Sequence, residues 1–321
     1  MNKIRIANYY ENRLGRNDGN PLYMWNAFKS FPDIESAHMI PTGNITGFGQ
    51  WDLHFEADWG EDALLSILPY TPCPIPSPSV FWSSDTHLGY EWRLNKAKRT
   101  DHNFVCQLRA KEDFEKDGIK NVVWMPHAVE PMAYPYLPSI KKYDICFVGH
   151  MNDQNRVDAL DKLFGAIPNF FFGKRLFEEA AQKYCETRVV FNISIKDDIN
   201  MRCFEVMATK SLLLTNRIPT IELLFKDGVH CVMYDNMDDA IEKAKYYIEH
   251  EDEAAKIAEA GYKEVLSKHT FKHRCETVLK HVGLWRESDT SNESKNLSPD
   301  SRGTDNPEIV GEHREVHPQT V

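Results

Sequence analysis

The chain has 321 residues, of which 42% are hydrophobic and 27% charged, and its formal net charge at pH 7 is −10. This length and apolar content suffice for two domains with cores of ordinary size. The negative balance argues against a nonspecific nucleic-acid binder, which usually presents a basic face, so a nucleic-acid partner is not expected.

The cysteines indicate the redox compartment of the protein, and the hydropathy of the sequence indicates whether it spans a membrane. Seven cysteines are scattered along the chain without a C-x-x-C pair, which is typical of reduced thiols in a cytosolic protein and argues against a structural zinc site. The N-terminal residues lack the apolar core of a signal peptide, and no run of about 18 apolar residues occurs. We therefore expect a cytoplasmic protein without a transmembrane segment and without a bound metal.

The first half of the chain alternates predicted strands and helices. Strands are predicted at residues 3–10, 38–41, 52–59, 80–84, 103–107 and 122–126, and helices near Pro21 and at 90–99 and 109–117. The proline-dense residues 68–79 fit neither an interior helix nor a central strand, and predict a rigid connector or a loop at the edge of a lid. The pattern favours a parallel α/β sheet.

A glycine-bearing loop joins the first strand to the first helix. Such a loop allows close approach of the backbone to phosphate or sugar, which makes Gly15, Arg16 and Asn17 candidates for the acceptor side of a cleft. The alternative for each of them is an ordinary surface turn.

Asp85 and His87 follow a predicted strand, at the carboxyl end where α/β folds place catalytic groups. A histidine titrates near neutrality and a carboxylate can orient or replace it, so both residues are candidates for a general base. The alternative is that Asp85 caps the next helix while His87 covers its first turn.

The composition changes after residue 126, where three prolines predict a linker between two domains. His127 lies in this linker and is a candidate for contact with donor or acceptor. The second half then begins with a strand at 143–150, a polar loop and a helix. Gly149 and Arg156 are candidate phosphate contacts of that turn, with Lys174 and Arg175 as the alternative basic pair.

Residues 191–216 carry the clearest site pattern, which is strand, polar loop, short helix and strand. Asp197 and Asp198 lie in the loop, and Arg202 and Glu205 lie three apart on one face of the helix. A helix N-terminus attracts anions, and a guanidinium group matches phosphate oxygens. Glu205 suits the hydroxyls of a ribose. The alternative is a surface Arg–Glu pair worth a few tenths of a kcal/mol.

This stretch resembles the C-terminal domain of the CgeB-like (spore-maturation type) glycosyltransferases of the GT-B superfamily, glycosyl transferases group 1. The resemblance rests on Asn192, Ser194, Arg202, Phe204, Glu205 and the apolar strand that starts at Leu212, and continues through 224–244 and 257–274. It covers about half of the chain. One departure is Lys210-Ser211, where the family usually has a glycine after the helix, which puts the tightness of this turn in question.

The resemblance implies a GT-B fold, with two Rossmann-like domains facing across a cleft. The domains would be an acceptor domain at 1–137 and a nucleotide-sugar donor domain at 138–286, followed by a disordered polar tail at 287–321. The implied activity is metal-independent transfer of a sugar from a nucleotide-diphosphate sugar, used as co-substrate without a permanently bound cofactor, to a saccharide or other acceptor.

The implied donor contacts are a set of backbone and side-chain groups of the second half: Gly149, Arg156, Asn192, Ser194, Arg202 and Glu205. The implied catalytic residues are Asp85, His87 and Asp197, the last because it lies eight residues before Glu205, as the first acid of the E-x7-E motif of retaining GT-B enzymes does. The alternatives are a non-catalytic GT-B-like scaffold in surface-polysaccharide assembly and a GT-B-fold nucleotide-sugar epimerase.

Overall fold

The computed structural model describes residues 3–10, 19–41, 51–57, 77–151, 153–194 and 198–285. The predictions for Gly15, Arg16, Asn17 and Asp197, and for the tail from residue 287, lie outside these ranges. The described residues belong to one compact unit.

The first half forms a six-stranded parallel sheet with the strand order β2-β1-β3-β4-β5-β6. Its strands are β1 (Ile4–Tyr10), β2 (Ile34–Pro41), β3 (Leu53–Ala57), β4 (Ser79–Ser83), β5 (His102–Val105) and β6 (Val123–Trp124). Its helices are α1 (Asn20–Lys29), α2 (Tyr90–Ala97) and α3 (Leu108–Lys116), with a 3-10 turn at Thr86–Leu88.

The second half forms a five-stranded parallel sheet with the order β11-β10-β9-β7-β8. Its strands are β7 (Tyr143–Val148), β8 (Phe170–Gly173), β9 (Thr187–Asn192), β10 (Leu212–Asn216) and β11 (Val232–Tyr234). The helices are α4 (Gln154–Ala166), α5 (Phe177–Cys185), α6 (Met201–Ala208), α7 (Pro219–Glu222), α8 (Met237–Glu249), α9 (Glu251–Lys268) and α10 (Phe271–His281).

The central strands of the first sheet are buried on both faces. Every residue of β3 and β4 is buried, as is usual for parallel sheets with helices on both sides. In the second sheet the chain leaves β7 toward β8 on one side and returns to β9 on the other. The carboxyl ends of β7 and β9 therefore flank a topological switch point, where open α/β sheets bind ligands.

The last helix crosses back to the first sheet. Phe271, Cys275 and Val278 of α10 are buried in one apolar cluster with the strands of the first half. Trp285 packs against the same cluster, with its ring 5.7 Å from that of Phe31 in an edge-on arrangement.

Arg274 joins this helix to the segment between the sheets. Its guanidinium group, 6% exposed, donates to the carbonyls of Pro126 at 2.7 Å and His127 at 2.8 Å. The neighbouring backbones also pair, since the amide of Phe271 donates to the carbonyl of Val129. The predicted domain boundary at residue 137 lies between β6 and β7, in a segment without regular secondary structure.

The turn after α6 is tight although it lacks the glycine of the related family. Lys210 takes the left-handed backbone conformation, with φ of 57°, that glycine adopts most readily. Its Nζ lies 2.6 Å from Glu259 and packs over the Tyr136 and Tyr262 rings. The backbone amides of Lys210 and Ser211 donate to the carbonyls of Met207 at 3.1 Å and Val206 at 3.4 Å, so the departure at Lys210-Ser211 does not open the turn. Within the described residues, no helix is long and apolar enough to span a bilayer.

Candidate active site

A cleft of about 360 Å³ lies where the carboxyl ends of the two sheets meet. The first half contributes the start of α1 and Asp85, which follows β4. The second half contributes Gly149 after β7, the basic residues after β8, and Arg202 and Glu205 of α6. The cleft therefore brings together residues as far apart in the chain as Asn20 and Glu205.

Arg202 is held in place on the second-half wall of this cleft. Its Nη1 donates to the side-chain oxygen of Asn192 at 2.7 Å, and its guanidinium plane lies 4.5 Å from the centre of the Phe147 ring. It lies in the first turn of α6, after Asn200 at the N-cap, whose side chain makes no capping hydrogen bond. The guanidinium group and the free backbone N–H groups of this helix start can both bind one anion.

Gly149 makes room for this arginine. A Cβ built at position 149 would lie 2.2 Å from Nη2 of Arg202, closer than real contacts allow. A glycine at the end of β7 is therefore required by the position of Arg202.

Asn192 and Ser194 lie behind the cleft wall. Asn192 is completely buried, and its side-chain oxygen accepts hydrogen bonds from Arg202 and from Asn200 at 3.1 Å. Its amide donates to Thr215 at 2.9 Å, while the backbone amide of Ser194 donates to Asn216 at 2.7 Å. A side chain without exposed surface cannot contact a ligand, so Asn192 acts on the cleft by orienting Arg202.

Glu205 faces the cleft between two buried tyrosines. Burial and a hydrogen bond to Glu205 raise the pKa of the Tyr134 hydroxyl. Burial and the negative charge of Glu205 raise the pKa of Tyr184, while the nearby Arg202 guanidinium opposes that rise. Both phenols thus remain protonated. Tyr134 donates to the half-buried carboxylate of Glu205, and Tyr184 accepts a hydrogen bond from Arg202.

Arg156 is less available for a phosphate contact than the sequence implies. Its Nη1 donates to the carbonyl of His150 at 3.0 Å and its Nη2 to the carbonyl of Ile193 at 3.3 Å. Burial, and then the positive charge of Arg202, lower the pKa of Arg156. Instead of Arg156, the exposed Lys174 and Arg175 line the cleft, as in the alternative given by the sequence.

Asp85 and His87 point into different spaces. Asp85 is exposed in the cleft, has a left-handed backbone with φ of 46°, and makes no side-chain capping bond to the 3-10 turn that it precedes. His87 lies two residues further along this turn and lines a neighbouring cavity. Of the two candidates for a general base, Asp85 lines the cleft and His87 does not, and the role itself stays a prediction.

His127 lies at the back of the cleft and is 7% exposed. Burial lowers the pKa of its imidazole to about 4, partly countered by Asp85 and reinforced by Arg274. The ring is therefore neutral at physiological pH and can exchange a hydrogen bond but cannot supply a cation to a phosphate. Within the part of the chain that the structure describes, no group of three or more His, Cys, Asp or Glu could hold a metal ion.

Comparison with known proteins gives a family match for the second half and a fold match for the whole. Residues 153–280 match the model of a family described as glycosyl transferase-like. The structure is similar to Anabaena Alr3699/HepE, solved in complex with UDP and glucose, at 12% identity and a TM-score of 0.62 over 87% of this chain and 99% of that one. No curated protein matches the chain significantly.

Two further structures extend this likeness. T4 phage BGT, solved in complex with its UDP-glucose substrate, has 14% identity and a TM-score of 0.59 over 87% of this chain and 99% of that one. TarM has 11% identity and a TM-score of 0.55 over 72% of this chain and 54% of that one, so this chain spans about half of TarM. The chain has the GT-B fold. This is the fold that the sequence predicted.

Several residues that line the cleft were not predicted as site residues, among them Asn20, Tyr134, His150 and Tyr184. Asn20 starts α1, is 5% exposed, and its buried side-chain oxygen has no hydrogen-bond partner. The sequence carries one signal for it, the Asn-Pro pair at a helix start. Nothing local marks the two tyrosines. Tyr134 reaches Glu205 from the segment between the sheets, and Tyr184 reaches Arg202 from α5.

Proposed function

We propose that the protein transfers a sugar from a nucleotide-diphosphate sugar to a hydroxyl-bearing acceptor, as a metal-independent GT-B glycosyltransferase of the CgeB-like type. One observation carries this proposal. The Arg202 guanidinium group, fixed by Asn192 and by the Phe147 ring, lies at the open N-terminus of α6 in the cleft between the two sheets.

The donor diphosphate would lie against Arg202 and the first turn of α6. Lys174 and Arg175 line the same cleft and add positive charge to it. Charge-assisted hydrogen bonds of this kind contribute about 1.5–3 kcal/mol each. Because this charge stabilises a departing diphosphate as well as a bound one, the proposal needs no divalent cation.

Glu205 would accept hydrogen bonds from the ribose hydroxyls of the donor. Its position on α6, three residues after Arg202, sets ribose and diphosphate side by side along the helix. We propose uridine as the nucleoside, since the similar structures of Alr3699/HepE and T4 phage BGT were solved with UDP and with UDP-glucose.

The transfer step would use Asp85 as the base if the configuration is inverted. The acceptor oxygen bonds to the anomeric carbon, the bond from that carbon to the diphosphate oxygen breaks, and the diphosphate keeps the electron pair. The proton of the acceptor hydroxyl passes to the Asp85 carboxylate, which is exposed in the cleft. The neutral imidazole of His127, whose pKa the negative charge of Asp85 raises against the larger effect of burial, lines the same cleft.

A thermal-shift screen against UDP, GDP, ADP, CDP and dTDP and their common sugars tests this proposal, with magnesium and with EDTA. A ligand at a hundredfold excess over its dissociation constant stabilises the protein by about 2.7 kcal/mol. We expect UDP to stand out equally in both conditions and to lose its effect in Glu205→Gln. No response to any nucleotide from a folded sample would contradict the proposal, and a response only with magnesium would contradict metal independence.

Turnover separates an enzyme from a binding protein. Release of UDP from a UDP-sugar should be measurable in the wild type and should fall in Asp85→Asn without loss of UDP binding. UDP binding without any release of UDP from its sugars, at any acceptor concentration, would favour the scaffold alternative.

A further inference from the structure

A cavity of about 330 Å³ lies at the edge of the second sheet opposite to the cleft. Arg188 and Leu212, near the amino ends of β9 and β10, line this cavity, whereas the cleft lies at the carboxyl ends of the strands. We call it the back cavity. We propose that the back cavity binds a sugar phosphate, with the phosphate group at Lys141 and the sugar against Tyr136. This inference does not rest on the proposed function.

Three separate parts of the chain form the other walls of the back cavity. The segment between the sheets contributes Tyr136 and Lys141, the turn after α6 contributes Lys210, and α9 contributes Glu251 and Glu259. Sites for small molecules in proteins have volumes of roughly 300–1,000 Å³. The back cavity therefore has the size for a small polar ligand, at a distance from the cleft that keeps the two sites apart.

Lys141 lines the back cavity and forms no ion pair with the residues that the structure describes. Its Nζ donates to the carbonyls of Cys185 at 2.9 Å and Thr187 at 2.7 Å. An ammonium group has three N–H donors, so one remains for a ligand. Partial burial lowers the pKa of Lys141, and the positive charge of Arg188 adds to this shift. An anion beside Nζ would offset both effects, and lysine binds phosphate as a compact point charge.

The other charges of the lining already have partners of opposite sign. Arg188 pairs with Glu251, and Nζ of Lys210 lies 2.6 Å from Glu259. The charge of Lys141 is therefore the one that a ligand can balance. A ligand with one anionic group and an uncharged body fits this lining, because a second anionic group would meet a carboxylate.

The uncharged body of the ligand would lie against Tyr136, which is 45% exposed and lines the back cavity. The C–H groups of a sugar ring can pack on such an exposed aromatic ring. Glu259, whose side chain is 37% exposed, can accept a hydrogen bond from a sugar hydroxyl. An aromatic ring beside a carboxylate favours a polyol over a purely apolar body.

Isothermal titration with defined probes tests the assignment. The probes are glucose 1-phosphate, mannose 6-phosphate and ribose 5-phosphate, with inorganic phosphate and glucose as separate parts of such a ligand. We expect at least one sugar phosphate to bind the wild type at least tenfold more tightly than inorganic phosphate or glucose. Lys141→Gln keeps a donor for the backbone carbonyls and removes the charge, and it should weaken that binding at least tenfold. Tyr136→Ala should weaken it at least threefold.

Lys142→Gln is the matched control, because Lys142 is the next residue but pairs with Glu186 at 2.5 Å and does not line the back cavity. It should bind the sugar phosphate as the wild type does. Arg202→Ala, which removes the guanidinium group of the cleft, should do so as well. UDP affinity should be the same in Lys141→Gln and in the wild type.

Three results would each overturn the inference. They are equal sugar-phosphate affinities in Lys141→Gln, Tyr136→Ala and Lys142→Gln, loss of sugar-phosphate binding in Arg202→Ala, and a wild type that binds no sugar phosphate more tightly than inorganic phosphate. A protein that binds a sugar phosphate through Lys141 and binds no nucleotide would contradict the proposed function and leave this inference standing.

Discussion

Two turns of the second sheet have the same local design and different roles. In both the turn from β7 to α4 and the turn from β9 to α6, a buried strand leads through a polar loop to a helix with an arginine in its first turn. Both guanidinium groups lie over the Phe147 ring, Arg156 at 5.6 Å and Arg202 at 4.5 Å from its centre. Only Arg202 lines the cleft.

The difference comes from the partners that each turn offers. Arg156 finds two backbone carbonyls, of His150 and Ile193, and its helix is capped by Asp153, which accepts from the amide of Arg156 at 3.1 Å. Arg202 donates to two side-chain oxygens, those of Asn192 and Tyr184, and lies at a helix start without a side-chain cap. An arginine that satisfies backbone carbonyls holds a loop, whereas one oriented by side chains at an open helix start can present its remaining N–H groups to a ligand.

The strongest test of this comparison is Arg202→Ala. The loss of charge-assisted hydrogen bonds worth about 1.5–3 kcal/mol predicts UDP binding weaker by about 10- to 150-fold. Isothermal titration of UDP measures it, with a melting curve to verify folding. A change below threefold in a folded variant would show that the diphosphate does not bind at α6.

A smaller loss of UDP affinity, also through Arg202, is expected from Gly149→Ala. The new methyl group would displace the Arg202 guanidinium, since the Cβ would lie 2.2 Å from Nη2. We expect UDP binding to weaken by about tenfold. Gly165→Ala is the control, because a Cβ there meets nothing within 4 Å, and it should leave UDP affinity unchanged. Equal UDP affinities of Gly149→Ala and Gly165→Ala would contradict the claim that Gly149 makes room for the Arg202 guanidinium group.

Arg156→Ala should mainly affect stability. The loss of two hydrogen bonds to backbone carbonyls predicts a decrease of about 1–2 kcal/mol in the free energy of unfolding, while the dissociation constant for UDP should stay within threefold. Denaturant unfolding and UDP titration measure both quantities. A loss of UDP affinity as large as that of Arg202→Ala would make the two turns equivalent and contradict the comparison.

The smallest effect on UDP affinity is expected at Asp198, in the turn before α6. Burial raises the pKa of this carboxyl from 3.8 to about 7, so between these values the folded protein binds more protons than the unfolded chain. The free energy of unfolding should therefore fall as pH rises from about 4 to about 7 and level off above.

Asp198→Asn keeps an acceptor for Gln107 and removes the charge. It should be more stable than the wild type at pH 8, by an amount on the order of 1–4 kcal/mol, with no advantage at pH 4. Urea unfolding at the two pH values measures the difference, and a pH-independent difference would argue against a titrating Asp198.

The sequence predicts the secondary-structure elements of the site better than it predicts the tertiary contacts between their residues. It predicts the short helix that is found as α6, since Cys203, Phe204, Val206 and Met207 bury one face and the strand that follows begins with three buried leucines. It misses α5, whose first residue, Phe177, has a left-handed backbone and whose start has no side-chain cap.

Residue roles that depend on tertiary contacts could not be read from local pattern. Nothing local separates Arg156 from Arg202, because the carbonyls that hold Arg156 come partly from Ile193, 37 residues away. The sequence suggests one site for Asp85 and His87 because they are two residues apart. In the structure, the 3-10 turn places Asp85 in the cleft and His87 in the neighbouring cavity.

Localising bound UDP tests the central claim most directly, through a crystal structure of the protein grown with UDP and without divalent cations. The account predicts the diphosphate within hydrogen-bond distance of the Arg202 guanidinium group and the first backbone amides of α6, with the ribose against Glu205. UDP bound away from α6, for example in the larger groove between α1 and α10, would contradict it.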